Sequence, residues 1–170
     1  MRTALLALTV LLVGSRSTAQ PVPTASAYTI LDLDQCKRLD RDEESASARW
    51  RCRGFARIPL FVQNGDDRYD VDAGREDKDE HWSTSFDYPG KTVEWRLRGG
   101  KPFAIIYRLD SANSDAPKWS RLMVETIGGG SPGCRIAAID ARTRGANEQA
   151  RKAADQILDG NLRCLKRQLP

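Results

Sequence analysis

This chain of 170 residues is short of the side chains that most often carry chemistry. It has one histidine, His81, two methionines and four cysteines that lie far apart. A single histidine excludes the multi-histidine metal centres, and without a close cysteine pair the usual zinc spacings are missing too. No Cys-x-x-Cys motif occurs, so dithiol redox chemistry is not expected. Neither sign of charge dominates, with 27 Lys and Arg against 23 Asp and Glu. A nucleic-acid binder normally shows a clear basic excess, so that class is set aside. Beyond the N-terminus no apolar run approaches the roughly 20 residues that cross a bilayer.

What the N-terminus does contain is an export pattern. Met1-Arg2 is followed by the apolar run Ala4 to Val13, the breakers Gly14 and Ser15, and the small-x-small site Ser17-Thr18-Ala19. We read residues 1–19 as a signal peptide cut after Ala19. A second site after Ala25-Ser26-Ala27 lies further from the apolar core. Cleavage removes Arg2 and Arg16, which lowers the net charge from +4 to +2 and leaves one domain-sized chain. No lipoprotein pattern stands at the cleavage site. The expected compartment is the periplasm or the exterior, where disulfides persist.

Export gives the cysteines a structural role. Four cysteines allow three pairings. The pairs Cys36–Cys52 and Cys134–Cys164 are favoured, because the first ties the charged segment Arg38 to Ala46 and the second pins the tail to the last strand. Each closure is worth about 3 kcal/mol if the loop is flexible when unfolded.

Along the chain, strand-like runs recur between polar or glycine-rich breaks. Residues 20–27 read as a flexible lead-in and 28–170 as one globular domain. Tyr28 to Leu31, Ala48 to Cys52, Ile58 to Gln63 and Arg68 to Val71 are candidate strands, with Asn64-Gly65 as a hairpin turn. Asp72 to Pro89, holding Asp72, Glu76, Asp77, Asp79, Glu80 and Asp87 with Asp70 just before, reads as a long surface loop. Val93, Trp95 and Leu97 alternate with Glu94, Arg96 and Arg98. Pro102 to Tyr107 is apolar on both faces and reads as a central strand. Ser111 to Pro117 is a loop, and Trp119 to Ile127 and Cys134 to Ile139 are further strands. Asn147 is a candidate N-cap for a helix carrying Ala150, Ala153, Ala154, Ile157 and Leu158, with Gly160 ending it. The expected fold is α+β, a mostly antiparallel sheet with one C-terminal helix packed on it and stapled by disulfides.

Two motifs match by letter and fail by chemistry. Gly128, Gly130 and Gly133 fit G-x-G-x-x-G, but a strand-like run follows where a helix must receive the pyrophosphate. Gly129, Ser131 and Gly133 fit the nucleophile elbow, but the residue after the serine is Pro132, which has no N–H for an oxyanion. Both read as a hairpin loop. Asp70, Asp72 and Gly74 do not continue into calcium-loop spacing. No metal or cofactor is expected. His81, beside Asp79, Glu80 and Trp82, is the one candidate general base.

Tryptophans and arginines interleave around Trp50, Trp95 and Trp119. Strand alternation sends the tryptophans inward and leaves Arg49, Arg51, Arg53, Arg96 and Arg98 as a candidate basic sheet face for an anionic glycan, a lipid headgroup or an acidic protein.

The segments Val93 to Leu97, Gly100 to Arg108, Cys134 to Ala141 and Ala146 to Asp155 resemble small exported proteins of Gram-negative, alphaproteobacterial type that carry no assigned activity. The resemblance implies export and a single compact domain, and transfers no site residue. The leading expectation is a periplasmic binding or interaction protein whose partner is a protein or anionic glycan of the cell envelope. The alternatives are an envelope hydrolase with a carboxylate or His81-centred site, and a structural or stress factor of the envelope.

Overall fold

The computed structural model describes residues 22–42, 47–77, 86–112, 118–160 and 163–165. The expected signal peptide, His81 with Asp79, Glu80 and Trp82, and residues 113–117 lie outside the described residues.

Among the described residues, nine strands form two antiparallel sheets. One joins β1 (Thr24–Ile30), β6 (Asp87–Arg98), β7 (Lys101–Ser111), β8 (Ser120–Thr126) and β9 (Arg135–Asp140), in that order. The other runs β2 (Lys37–Asp42), β3 (Ser47–Cys52), β4 (Leu60–Gly65) and β5 (Arg68–Ala73). The helix α1 (Ala146–Asp155) follows β9 and runs into a 3₁₀ turn ending at Gly160.

The period of two along the strands decides the layering. Val93, Trp95 and Leu97 from β6 and Ile105, Tyr107 and Leu109 from β7 face Trp50, Leu60, Val62, Val71 and Ala73 of the other sheet. Trp95, Leu60, Val62, Val71 and Val93 are fully buried there, and burial of such side chains contributes about 2–3 kcal/mol each. On its opposite face the five-stranded sheet presents Ala104, Ile106, Leu122 and Val124 to Ala146, Ala150 and Ala154 of α1. This i, i+4, i+8 stripe is all alanine, so the helix approaches the sheet closely. β7 is thus covered on both faces, as its unbroken apolar run implies.

Both favoured disulfides are present. Cys36–Cys52 joins the turn after β1 to the end of β3, with Cα atoms 4.5 Å apart. Cys134–Cys164 spans 5.6 Å between Cα atoms and holds residues 163–165 against β9, where the Leu165 N–H donates to the Arg135 carbonyl at 2.7 Å. The glycine run 128–133 is the β8–β9 hairpin connection, and an added Cβ at Gly133 would strike the Thr126 carbonyl.

Several boundaries differ from expectation. β1 begins at Thr24, inside the segment read as a flexible lead-in, because its small residues pair along β6. Lys37–Asp42, most of it in the charged segment that begins at Arg38, is a strand paired with β3. Asp72 and Asp87, assigned to one surface loop, are buried in β5 and β6. The hairpin turns at Asp66-Asp67 (φ 54° and 52°) instead of Asn64-Gly65. That register sets Val62 opposite Val71 and Leu60 opposite Ala73; a turn two residues earlier would set Val62 against Asp67. Asn147 lies within α1, and the N-cap is Gly145 at φ 77°, because buried Ala146 already belongs to the packed stripe.

Candidate functional site

Three groups of polar side chains stand out, and their burial separates structural from available charge. The first lies between the sheets. Asp70 and Asp72 alternate with Val71 and Ala73 and therefore leave the apolar core. The Tyr107 hydroxyl donates to Glu125 at 2.7 Å and lies 3.2 Å from Asp70. Arg135 donates through Nε to Glu125 at 3.0 Å and through Nη2 to Asp70 and to the Tyr107 oxygen. Asp72 accepts from Gln63 at 3.3 Å and from the Asp77 N–H at 2.9 Å.

One arginine cannot neutralise three buried carboxylates. Burial, with Asp70 adding repulsion, pushes Glu125 up to about 8 and Asp72 up to about 7. Burial also raises the Tyr107 hydroxyl, while the facing tyrosine and carboxylates hold Arg135 firmly charged even though burial opposes its charge. Near neutrality Glu125 carries its proton, which removes one buried charge. Asp70 Oδ1 and Glu125 Oε1 accept from Tyr107 and Arg135, so this is a polar joint between the sheets.

The second group ties α1 to the strands beneath it. Arg96, buried, forks onto Asp155 (2.8–3.1 Å) and also donates to Ser26, Thr24 and the Ala25 carbonyl. Arg151 donates to Glu94 at 2.7 Å and to the Tyr28 hydroxyl at 3.1 Å. Asp155 lies one turn beyond Arg151, so the pair makes a two-point clamp of alternating sign. A cleft of about 510 Å³ opens beside it, but its arginines are engaged, Arg151 by Glu94 and Arg108 by Ser120 at 2.9 Å.

The third group carries free charge. A cleft of about 550 Å³ is lined by Arg51, Arg53 and Arg57 with Gly54, Ala56 and Pro59. All three arginines are exposed and have no acidic partner among the described residues. Lys37 stands directly across from Arg51 on β2, a like-charge cross-strand pair that costs stability. Ala56 (φ 50°) and Arg57 (φ 67°) occupy the left-handed region in a tight turn closed by the Ile58 N–H on the Phe55 carbonyl at 2.9 Å. Gly54 makes that turn possible, since a Cβ there would run into the Ile58 carbonyl and the Trp95 ring.

The structure therefore divides the five arginines expected on one face. Arg51 and Arg53 stay together and free. Arg49 is committed to Glu76 at 3.0 Å and Asp40 at 3.3 Å. Arg96 and Arg98 belong to the other sheet, and Arg96 is buried under α1. Alternation along one strand cannot reveal that a helix covers the wet side. Arg57 was missed because nothing in Ala56-Arg57 advertises a positive-φ turn, although its spacing from Arg53 is plain in the sequence. The tryptophans go inward as expected for Trp50 and Trp95, while Trp119 is half-buried under Arg121, 5.0 Å from its ring centre.

Set against known proteins, the chain matches no family model, no curated protein and no solved structure.

Proposed function

We propose that this is an exported binding protein, periplasmic or secreted, that engages an anionic partner of the cell envelope through the Arg51–Arg53–Arg57 cleft. The observation that carries the reading is the set of three exposed arginines converging on one cleft without a neutralising acid among the described residues. Unpaired like charges destabilise the fold, and an anion returns that energy on binding. The guanidinium fork matches carboxylate and phosphate oxygens in two-point geometry, which suits acidic glycans and acidic protein surfaces alike. Two disulfides fit an oxidising compartment, and no helix among the described residues is long and apolar enough to cross a membrane. Asp70, Asp72 and Glu125 accept from Tyr107, Arg135, Gln63 and the Asp77 N–H, which favours binding over hydrolysis. The test is retention on heparin, used as a polyanion, of the protein and of Arg51→Glu/Arg53→Glu. Elution of the double variant at clearly lower salt is expected, with Arg98→Glu/Arg144→Glu as the charge-matched control. Equal retention of the two variants would refute the reading.

A further inference from the structure

The two sheets have four outer edges, and among the described residues three of them carry a feature that hinders a further strand. Edge strand β2 carries Lys37, Arg38, Asp40, Arg41 and Asp42 and is bulged between Arg38 and Asp40. The β5 edge is taken up by the Asp87 N–H on the Asp67 carbonyl and the Gly128 N–H on the Ala73 carbonyl. The β9 edge is met at Arg135 by residues 163–165, held there by the Cys134–Cys164 bond. Charges, bulges and covering segments are the devices by which sheet edges avoid unwanted strands.

β1 has none of them. Thr24-Ala25-Ser26-Ala27-Tyr28-Thr29-Ile30 contains no charge and no proline, and pairs with β6 in unbroken register. Among the described residues no strand lies along its other side. The Leu31 N–H donates to the Lys91 carbonyl at 2.9 Å, which sets the phase of the ladder. In an antiparallel pair bonded and unbonded positions alternate. Ala25, Ala27 and Thr29 therefore bond to β6, and the N–H and C=O groups of Thr24, Ser26, Tyr28 and Ile30 point outward.

We propose that this edge pairs with the β1 edge of a second copy of the chain, antiparallel about a two-fold axis at Ala27, joining two five-stranded sheets into one of ten strands. The outward set permits one two-fold register that uses all seven residues. Thr24 lies opposite Ile30, Ser26 opposite Tyr28, and Ala27 opposite Ala27 in an unbonded pair whose Cα atoms approach to about 4.5 Å. Only alanine methyls meet there. Tyr28 and Ile30, 56% and 76% exposed in one chain, gain Ser26 and Thr24 of the other as cross-strand neighbours, and the two Tyr28 rings become diagonal neighbours. The edge has no charge to repel its own copy. A self-complementary surface of this kind closes at two copies instead of growing into a filament. The inference stands on the β1 backbone and is independent of the arginine cleft, which lies on the other sheet.

Light scattering of the purified protein over a concentration series tests it, with Ile30→Pro, Ala27→Cys and Leu39→Cys alongside. A mass rising from one chain to two is expected. Ile30→Pro removes an outward N–H without breaking a bond to β6, and its dimer should dissociate at least about tenfold more readily. Ala27→Cys should form an interchain disulfide on mild oxidation, since the expected Cα separation suits one. Leu39→Cys, exposed on the other sheet, should not. Should Ile30→Pro fail to fold, the cysteine pair of variants still decides. A mass of one chain up to the solubility limit overturns the proposal, as does a dimer in which Ala27→Cys cross-links no faster than Leu39→Cys.

Discussion

Replacing Glu125 by glutamine should change the pH dependence of stability more than stability itself. Glutamine keeps an oxygen for the Tyr107 hydroxyl and Arg135 Nε, and it cannot ionise. The glutamate is held at about 8 in the folded protein against an ordinary 4.5. Between those values the folded chain keeps a proton that the unfolded chain releases. Stability from this group is therefore fully present below pH 4.5 and is lost as pH rises toward 8. One proton over one pH unit is worth about 1.4 kcal/mol, so the full window amounts to roughly 5 kcal/mol. Asp72, pushed up to about 7, adds a slope of the same sign in both proteins. Urea unfolding with disulfides intact, from about pH 5 to about pH 9, is the assay. The variant and the parent should be nearly equal at the acid end, with the variant more stable by several kcal/mol at the alkaline end. A difference that stays constant within about 1 kcal/mol across the series would refute the account of the buried joint.

Gly54→Ala should lower stability by roughly 2 kcal/mol or more, because its Cβ meets a backbone carbonyl that has nowhere to move; an unfolding midpoint close to the parent's would contradict this. Arg96→Met should cost about 3 kcal/mol by stripping Asp155, Ser26 and Thr24 of their donor. Adding Asp155→Asn should recover part of that loss, and a double variant no better than Arg96→Met would mean that the ion pair is not what holds α1.

Much of the architecture is legible in local pattern. The alternation Val93, Trp95, Leu97 needs only a pleated strand with one dry face, and it reads out directly. The same holds for the run Pro102 to Tyr107 on β7 and for the alanine spacing of α1. The cysteine pairs follow from which segments need tying. Less legible are features set by competition between distant segments. The hairpin moved to Asp66-Asp67 because apolar pairing across β4 and β5 outweighs the local preference of Asn64-Gly65. Asp70, Asp72 and Glu125 look like surface acids until another sheet arrives to bury them. Arg96 reads like Arg98 until α1 lands on it.

By itself, then, the sequence determined the dry faces of the strands, the presence of the C-terminal helix and a preference among the three cysteine pairings, since these depend on periodicity and on cysteine positions that travel with the chain. The tertiary structure alone decided which charges are free. Desolvation and pairing depend on what lies a few ångströms away in space. They bury Arg96 and engage Arg49, and they gather Arg51, Arg53 and Arg57 around one open cleft.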